Sequence, residues 1–403
     1  MLTMHDIAVV STAVPPGATG QARVLEHLLQ NRNPDRCLLF SDQIAALGSP
    51  AAEKRCGIYV PLSAPQFLLL PKLTDQRVFD INNILGLNWT ILRRSAEIAA
   101  KLKQKRPVAI VGCSGNPFDL PASFLAARRI GIPFLSYLFD DPVYQWPPGI
   151  YRRLARFWER IWMPRAAVVI APNETLVEDI VLRNPKIAPA IVRNPVSAEA
   201  FVDAPAVASR AHLGPRRIVY TGTVYHAQAD ALRNVVKVLE SLNGRYQLHV
   251  YTSQSQSALE AHGVVGPHVH RHDHLDLADV YRIQREADVL LLPLAFQSTI
   301  QEVIRSSAPG KMAEYLASGR PVLVHAPAGS FVCNFFRRRE CGMVVDRLDP
   351  GLLRERLLAL EDCGNRVTFR GNARAAAEEF HVERARAFFW SLVDRSTRGR
   401  RND

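Results

Sequence analysis

The 403-residue sequence contains no Cys-x-x-Cys pair, and its six cysteines (Cys37, Cys56, Cys113, Cys333, Cys341, Cys363) are scattered. That spacing points away from a zinc ribbon or a disulfide framework and fits reduced thiols in a cytosolic enzyme. No window approaches the ~20 consecutive apolar residues of a membrane span. The opening "MLTMHDIAVVSTAVPP" lacks the basic n-region and long apolar run of a secretory signal. There is no repeat at solenoid periods and no nucleic-acid-binding motif. Acidic residues are in deficit, 38 against 50 Lys and Arg, which leaves a formal charge of +12. The expected location is therefore cytoplasmic, with a peripheral membrane position left open. The expected partners carry negative charge, as phosphorylated substrates and anionic membranes do.

What is present is a repeated strand–helix grammar. "DIAVVSTA", "PVAIVGCSG", "IPFLSYLF" and "AAVVIAPN" read as buried strands, with "QARVLEHLLQ", "LPASFLAARRIG" and "ETLVEDIVLRN" as helices between or after them. After the aperiodic, proline-bearing stretch around 199–216 the pattern restarts. "RIVYTGT", "YQLHVYT" and "DVLLLPLA" alternate with "ADALRNVVKVLESL" and "LADVYRIQREA". Strands separated by helices predict parallel sheets covered on both faces. The expectation is an α/β chain of two Rossmann-like domains facing a central cleft, 1–198 and 217–380, with 199–216 as linker. The amphipathic helix 381–396 is free to pack back on the first domain. Ligands of such sheets bind beyond the C-terminal strand ends.

The stretch "SSAPGKMAEYLASGRPVLV" (306–324) carries the sharpest chemistry. Pro309 and Gly310 stand where a helix can start, and Gly319 where it must stop. Lys311 in the first turn puts a cation where the helix dipole disfavours one, which is explained if an anion binds the free amides there. Glu314, one turn on, can accept hydrogen bonds from a vicinal diol such as a ribose. A nucleoside diphosphate satisfies both residues. The plainer alternative is an exposed i,i+3 ion pair worth ~0.2–0.5 kcal/mol.

"APGKMAEYLASGRPVLV" resembles the donor-binding segment of GT-B fold glycosyltransferases of the family 4, or group 1, class, and the similarity extends over most of 217–378. "IVYTGT" is similar to the glycine loop opening that family's donor domain, "ADVLLLP" and "CGMVVD" to its later strands, and "VRNPV" (192–196) to the segment closing its acceptor domain. The resemblance implies a nucleotide-sugar donor, retention at the anomeric carbon and no obligatory metal or cofactor. It implies donor contacts from the Gly222–Thr223 loop, from Ser307, Pro309, Gly310 and Lys311 around the diphosphate, and from Glu314 on the ribose. Ser306 stands where the fuller motif has a carboxylate. The usual basic pair after the glycine loop is absent, with His226 the nearest basic group and Arg305 a compensating cation.

Other constellations keep several readings. "PHVHRHDHLD" places His268, His270, His272 and His274 at period two. They form one imidazole face able to hold zinc, a base-contacting loop including Arg271 and His272 as in the resembled family, or solvated surface. Asp140-Asp141-Pro142 ends an apolar strand. Asp140 there is a candidate catalytic carboxylate orienting an acceptor hydroxyl, with a metal site or a simple turn as alternatives. Gly17 and Gly20 follow the first strand as a phosphate- or acceptor-approaching loop, or as a plain turn. The helix 151–165 sets Tyr151, Leu154, Trp158, Ile161 and Trp162 opposite Arg152, Arg153, Arg156 and Arg160. It and the basic segment 92–106 either face an anionic membrane or pack with an arginine rim.

The function this reading predicts is transfer of a sugar from a nucleoside diphosphate sugar to a hydroxyl of a glycan or lipid-linked acceptor, in polysaccharide or glycolipid assembly. Its alternatives are a nucleotide-sugar epimerase of the same architecture and a non-catalytic assembly subunit.

Overall fold

The structure, a computed structural model, describes residues 6–17, 19–44, 56–65, 76–201 and 214–397, with the side chains of 76–83 excepted. It divides into two compact units, residues 1–193 with 383–403, and residues 194–382. The segment 194–198, assigned from sequence to the first domain, thus lies in the second unit. Val196 explains the difference: its amide donates to Phe380 O, and its carbonyl accepts from Val382 N. Most of the expected linker 199–216 lies outside the described residues.

The first unit holds a seven-stranded parallel sheet of β1 (Ile7–Val10), β2 (Cys37–Ser41), β3 (Ile58–Pro61), β4 (Ala109–Cys113), β5 (Phe134–Tyr137), β6 (Val168–Ala171) and β7 (Ala190–Ile191), in the order β3-β2-β1-β4-β5-β6-β7. The second holds β8 (Arg216–Thr221), β9 (Tyr246–Tyr251), β10 (Val269–His272), β11 (Val289–Pro293), β12 (Val322–His325) and β13 (Met343–Val345), in the order β10-β9-β8-β11-β12-β13. Strand alternation feeds two cores per unit. Ile7 and Val9 face one layer of helices while Ala8 and Val10 face the other. In β8, Ile218 and Tyr220 part from Val219 in the same way. The strand order reverses direction between β1 and β4 and between β8 and β11, so each unit has its topological switch point there.

Helix boundaries follow the local chemistry. Asn173 caps the helix Glu174–Arg183 by accepting from Leu176 N, and Gly131 ends Asp119–Ile130 in the left-handed region. The C-terminal helix Val382–Thr397 packs within the first unit from Glu383 on: Arg386 Nε donates to His27 O (2.9 Å) and Trp390 Nε1 to Leu28 O (3.0 Å). Among the described residues no helix is long and apolar enough to cross a membrane, and the six cysteines are unpaired.

The basic segment 92–106 is not uniformly a surface. Arg94 of the long helix Gln76–Lys103 is buried; its guanidinium pairs with Asp119 and Asp42, each at 2.5 Å, and reaches Ser63 O at 3.2 Å. Asp119 also accepts from Asn116 Nδ2 (2.8 Å). These groups follow β2, β3 and β4, so one guanidinium ties three strand ends together.

Candidate functional site

The end of β8 and the helix Gly310–Ser318 build the site in the second unit. Pro309 precedes that helix, and Gly319 closes it with φ of 66°, as the punctuation of the sequence predicts. β8 ends at Thr221, and Gly222 turns the chain with φ of +116°. The positive φ favours glycine, and a β-carbon there would press on Lys311 Nζ at 3.1 Å. Lys311 Nζ lies 3.9 Å from the centroid of the buried Tyr220 ring. Two residues far apart in the chain are thus brought together.

Lys311 is half-buried. Burial pushes its ammonium down to about 7, against which the Glu314 carboxylate acts to raise it. An ammonium so placed gains charge when an anion arrives. Glu314 is half-buried, and its Oε2 accepts from Nε2 of the buried Gln284 at 2.8 Å. Gln284 lies on the helix Leu277–Glu286 and also approaches Thr221 Oγ1 at 3.4 Å. Tyr315 OH accepts from Thr221 N at 3.1 Å, locking the strand end to the helix. Gln284 and Tyr315 are site residues that sequence reasoning missed. Their signal is a long-range hydrogen bond, which no local pattern contains.

The glycine loop is fixed from the other side as well. Gln254 accepts from Val224 N (2.6 Å) and donates to Val224 O (2.9 Å). Arg271 Nε in turn donates to Gln254 O (2.6 Å), and its NH2 to Asp273 (2.7 Å). Arg271 therefore reaches the loop through Gln254. His272 stacks on Tyr251, with ring centroids 4.4 Å apart, and pairs with His249 at 2.9 Å. "PHVHRHDHLD" contributes a real strand, β10, at the sheet edge. His270 and His272 share a face with His249, whose imidazole burial and then Arg217 push down to about 4. Among the described residues no three His, Cys, Asp or Glu side chains gather as a metal site.

The remaining residues expected at the donor divide. Gly310 opens the helix in clear space, since a β-carbon there would meet no atom within 4 Å. Thr223 is exposed, its carbonyl accepting from Tyr220 OH at 2.7 Å. Ser307 and Pro309 are half-buried between the two helices Gln301–Ser306 and Gly310–Ser318. Arg305 is exposed, whereas Ser306 is buried and donates to Glu302 O at 3.3 Å. Asn194, also unforeseen, donates to Ala308 O at 2.9 Å and so steadies the approach to the helix. Asp230 accepts from Phe296 N and Gln297 N (3.0 and 2.8 Å), holding the loop after β11.

In the first unit, Asp140 and Asp141 follow β5 but differ in employment. Asp141 accepts from Val143 N and Tyr144 N, each at 2.9 Å, and pairs with Arg183 at 2.9 Å. It is the turn-forming residue. Asp140 is left for other work, and burial, then the neighbouring Asp141 charge, push its carboxyl up to about 6. Gly17 donates to Val14 O at 3.0 Å in a turn, and Gly20 opens the helix Gly20–Leu29 capped by Thr19. Gly20 has no positive φ.

Residues 215–363 match the family model "Glycosyl transferases group 1". No curated protein matches the chain. Three solved structures share its fold along nearly their whole length. A glycosyltransferase from Rickettsia africae is 12% identical, with TM-score 0.68 over 98% of this chain and 99% of that one. Sucrose-phosphate synthase from Thermosynechococcus elongatus is 15% identical, with TM-score 0.70 over 97% and 98%. HepE from Anabaena, in complex with UDP-glucose, is 11% identical, with TM-score 0.68 over 96% and 99%. The fold is that of the GT-B glycosyltransferases. Within its second unit, residues 215–363 carry the domain that the group 1 glycosyltransferase model describes.

Truncating Glu314, the carboxylate that the sequence resemblance assigns to a ribose, gives a first check on this site. Glu314→Ala should weaken binding of a nucleoside diphosphate by about 1.5–3 kcal/mol, the range for a hydrogen bond to a charged group. Glu314→Gln should lose less. Calorimetric titration reads both, and equal affinity for wild type and Glu314→Ala removes the ribose assignment.

Proposed function

We propose that the protein moves a sugar from a nucleoside diphosphate sugar to a hydroxyl of a glycan or lipid-linked acceptor, with retention, in polysaccharide or glycolipid assembly. The observation that carries this reading is the Lys311 ammonium, held over Tyr220 beside Gly222 at the start of the helix Gly310–Ser318. A diphosphate set there meets backbone amides and a cation at once. Glu314, oriented by Gln284, takes the ribose hydroxyls. That the Anabaena relative binds UDP-glucose makes UDP-glucose the first donor to try.

In the proposed reaction the bond from the anomeric carbon to the diphosphate oxygen breaks. The acceptor oxygen forms its new bond on the same face, and a phosphate oxygen takes the hydroxyl proton. The protein supplies electrostatic stabilisation of the leaving group through the amides and Lys311, without a metal or cofactor. Asp140 orients the acceptor hydroxyl as a carboxylate. Purified protein should release UDP from UDP-glucose slowly alone and faster with acceptor glycans, and EDTA should leave the rate unchanged. Release that no acceptor stimulates, with a changed sugar recovered, would indicate an epimerase. No turnover of any nucleotide sugar would leave an assembly subunit.

The raised Asp140 has a consequence in pH. Protonated below about 6 and ionised above it, it should impose an acidic limb near pH 6 on kcat. Asp140→Asn should flatten that limb and lower kcat by about 10²-fold, the scale of a misplaced reactant, with nucleotide affinity unchanged. A pH–rate profile identical in the variant contradicts the role.

A further inference from the structure

The helices Gln76–Lys103 and Ile150–Trp162 lie in one layer over the first sheet, joined where Trp158 Nε1 donates to Asn88 Oδ1 at 3.0 Å. Leu87, Ile91 and Ile98 of the first helix and Leu154, Trp158 and Trp162 of the second enter the same core. The outer face of the first helix is also apolar. Leu85, Trp89, Leu92 and Ala96 are exposed at helical spacing, opposite the core stripe. On the second helix Tyr151 and Phe157 are exposed as well. Five of the ten large apolar side chains exposed among the described residues, each 43–60% exposed, therefore sit on these two helices. Scattered exposed apolar residues need no explanation, but a concentration of this kind marks an interaction surface.

Charge says what covers it. Arg153, Arg156 and Arg160 are exposed around Phe157, and Arg93 is half-buried beside Leu92. From Leu85 to Ala96 there is no acidic residue, and the single acid of the second helix, Glu159, is buried against Arg183 (2.8 Å). A second copy meeting this face symmetrically would set arginine against arginine. An anionic bilayer supplies headgroup charge for the arginines and an apolar boundary for Trp, Phe and Leu.

We propose that this two-helix face docks on an anionic lipid surface, with Leu85, Trp89, Leu92 and Phe157 entering the headgroup–acyl boundary and Arg153, Arg156 and Arg160 binding lipid phosphates. The inference deepens the acceptor assignment, since the second helix begins shortly after Asp140 and Asp141. Docking brings Asp140 toward a surface where a lipid-carried hydroxyl is presented.

Flotation with vesicles of phosphatidylglycerol and phosphatidylcholine in equal parts tests it. Wild type should float at low salt, less so at high salt, and far less with phosphatidylcholine alone. Trp89→Ser with Phe157→Ser should cut the bound fraction about tenfold or more, from the apolar burial lost. Lipid brominated near the headgroup should quench wild-type fluorescence more than that of Trp89→Phe. No flotation of wild type, or equal flotation of the double variant, overturns the proposal. So does a wild-type dimer in sedimentation that the double variant abolishes, because the face is then an interface between copies. UDP binding measured on the same preparations keeps this failure separate from failure of the donor reading, and circular dichroism of the variants reports that they are folded.

Discussion

Lys311→Met should reduce kcat for sugar transfer by about 10²–10³, the loss typical when one preorganised stabiliser of developing charge is removed. The side chain is nearly isosteric and apolar, so the Tyr220 ring and the Gly222 turn keep a neighbour of the same length. Only the charge is lost. The same variant should change how nucleotide binding depends on pH. In the free protein Lys311 titrates at about 7, held down by burial; a bound diphosphate raises it. Below that value the ammonium is present in both states and affinity is flat. Above it, binding must take up a proton, so affinity falls as pH rises, up to about tenfold per unit. Lys311→Met should bind weakly and lose this dependence. Calorimetric titration across pH reads both effects, and an unchanged slope in the variant removes Lys311 from the diphosphate site.

Arg94→Met should destabilise the first unit by about 3–5 kcal/mol, the cost of breaking a buried ion pair from one side. It strands Asp42 and Asp119 without their 2.5 Å partner inside the sheet's C-terminal edge. Replacing the whole network by apolar groups, Arg94→Met with Asp119→Leu and Asp42→Leu, should recover much of that loss, because no buried charge is then left unpaired. Chemical denaturation of the three proteins gives the comparison. A single variant as stable as wild type would mean that the carboxylates are reached by water.

How much of the fold and site is legible in the sequence follows from the range of each interaction. The helix Gly310–Ser318 can be drawn to the residue because Pro309 and Gly319 act locally. The parallel strands can be read from their apolar runs, and β8 with Gly222 from a strand that stops at a glycine. The closeness of Gly222 to Lys311 comes from the family resemblance rather than from either segment. Gln284, Gln254 and Asp230 escape notice because a polar side chain bonded across tens of residues looks, in sequence, like any surface residue. Arg94 is misread for the same reason. "LRRSAEIAAKLKQKR" alternates charge and alanine as a solvated helix does, and only Asp42 and Asp119, delivered by other strand ends, make its second arginine a buried one. The short strand β7 and the polar edge strand β10 lack the apolar run that signals a strand. Their pairing is supplied by the neighbouring β6 and β9. The outer stripe of Leu85, Trp89 and Leu92 is hidden by the core stripe of the same helix, since two apolar faces blur a single period.

The central claim is that the end of β8 and the start of the helix Gly310–Ser318 hold a nucleoside diphosphate. A thermal-shift titration of the purified chain with UDP, GDP, ADP and dTDP, run on wild type and Lys311→Met, tests it most directly, because a ligand of the native state raises its stability by mass action. The account predicts that at least one diphosphate raises the wild-type midpoint in a saturable way and that the shift largely disappears in Lys311→Met. No shift with any of the four, or an equal shift in both proteins, would contradict it.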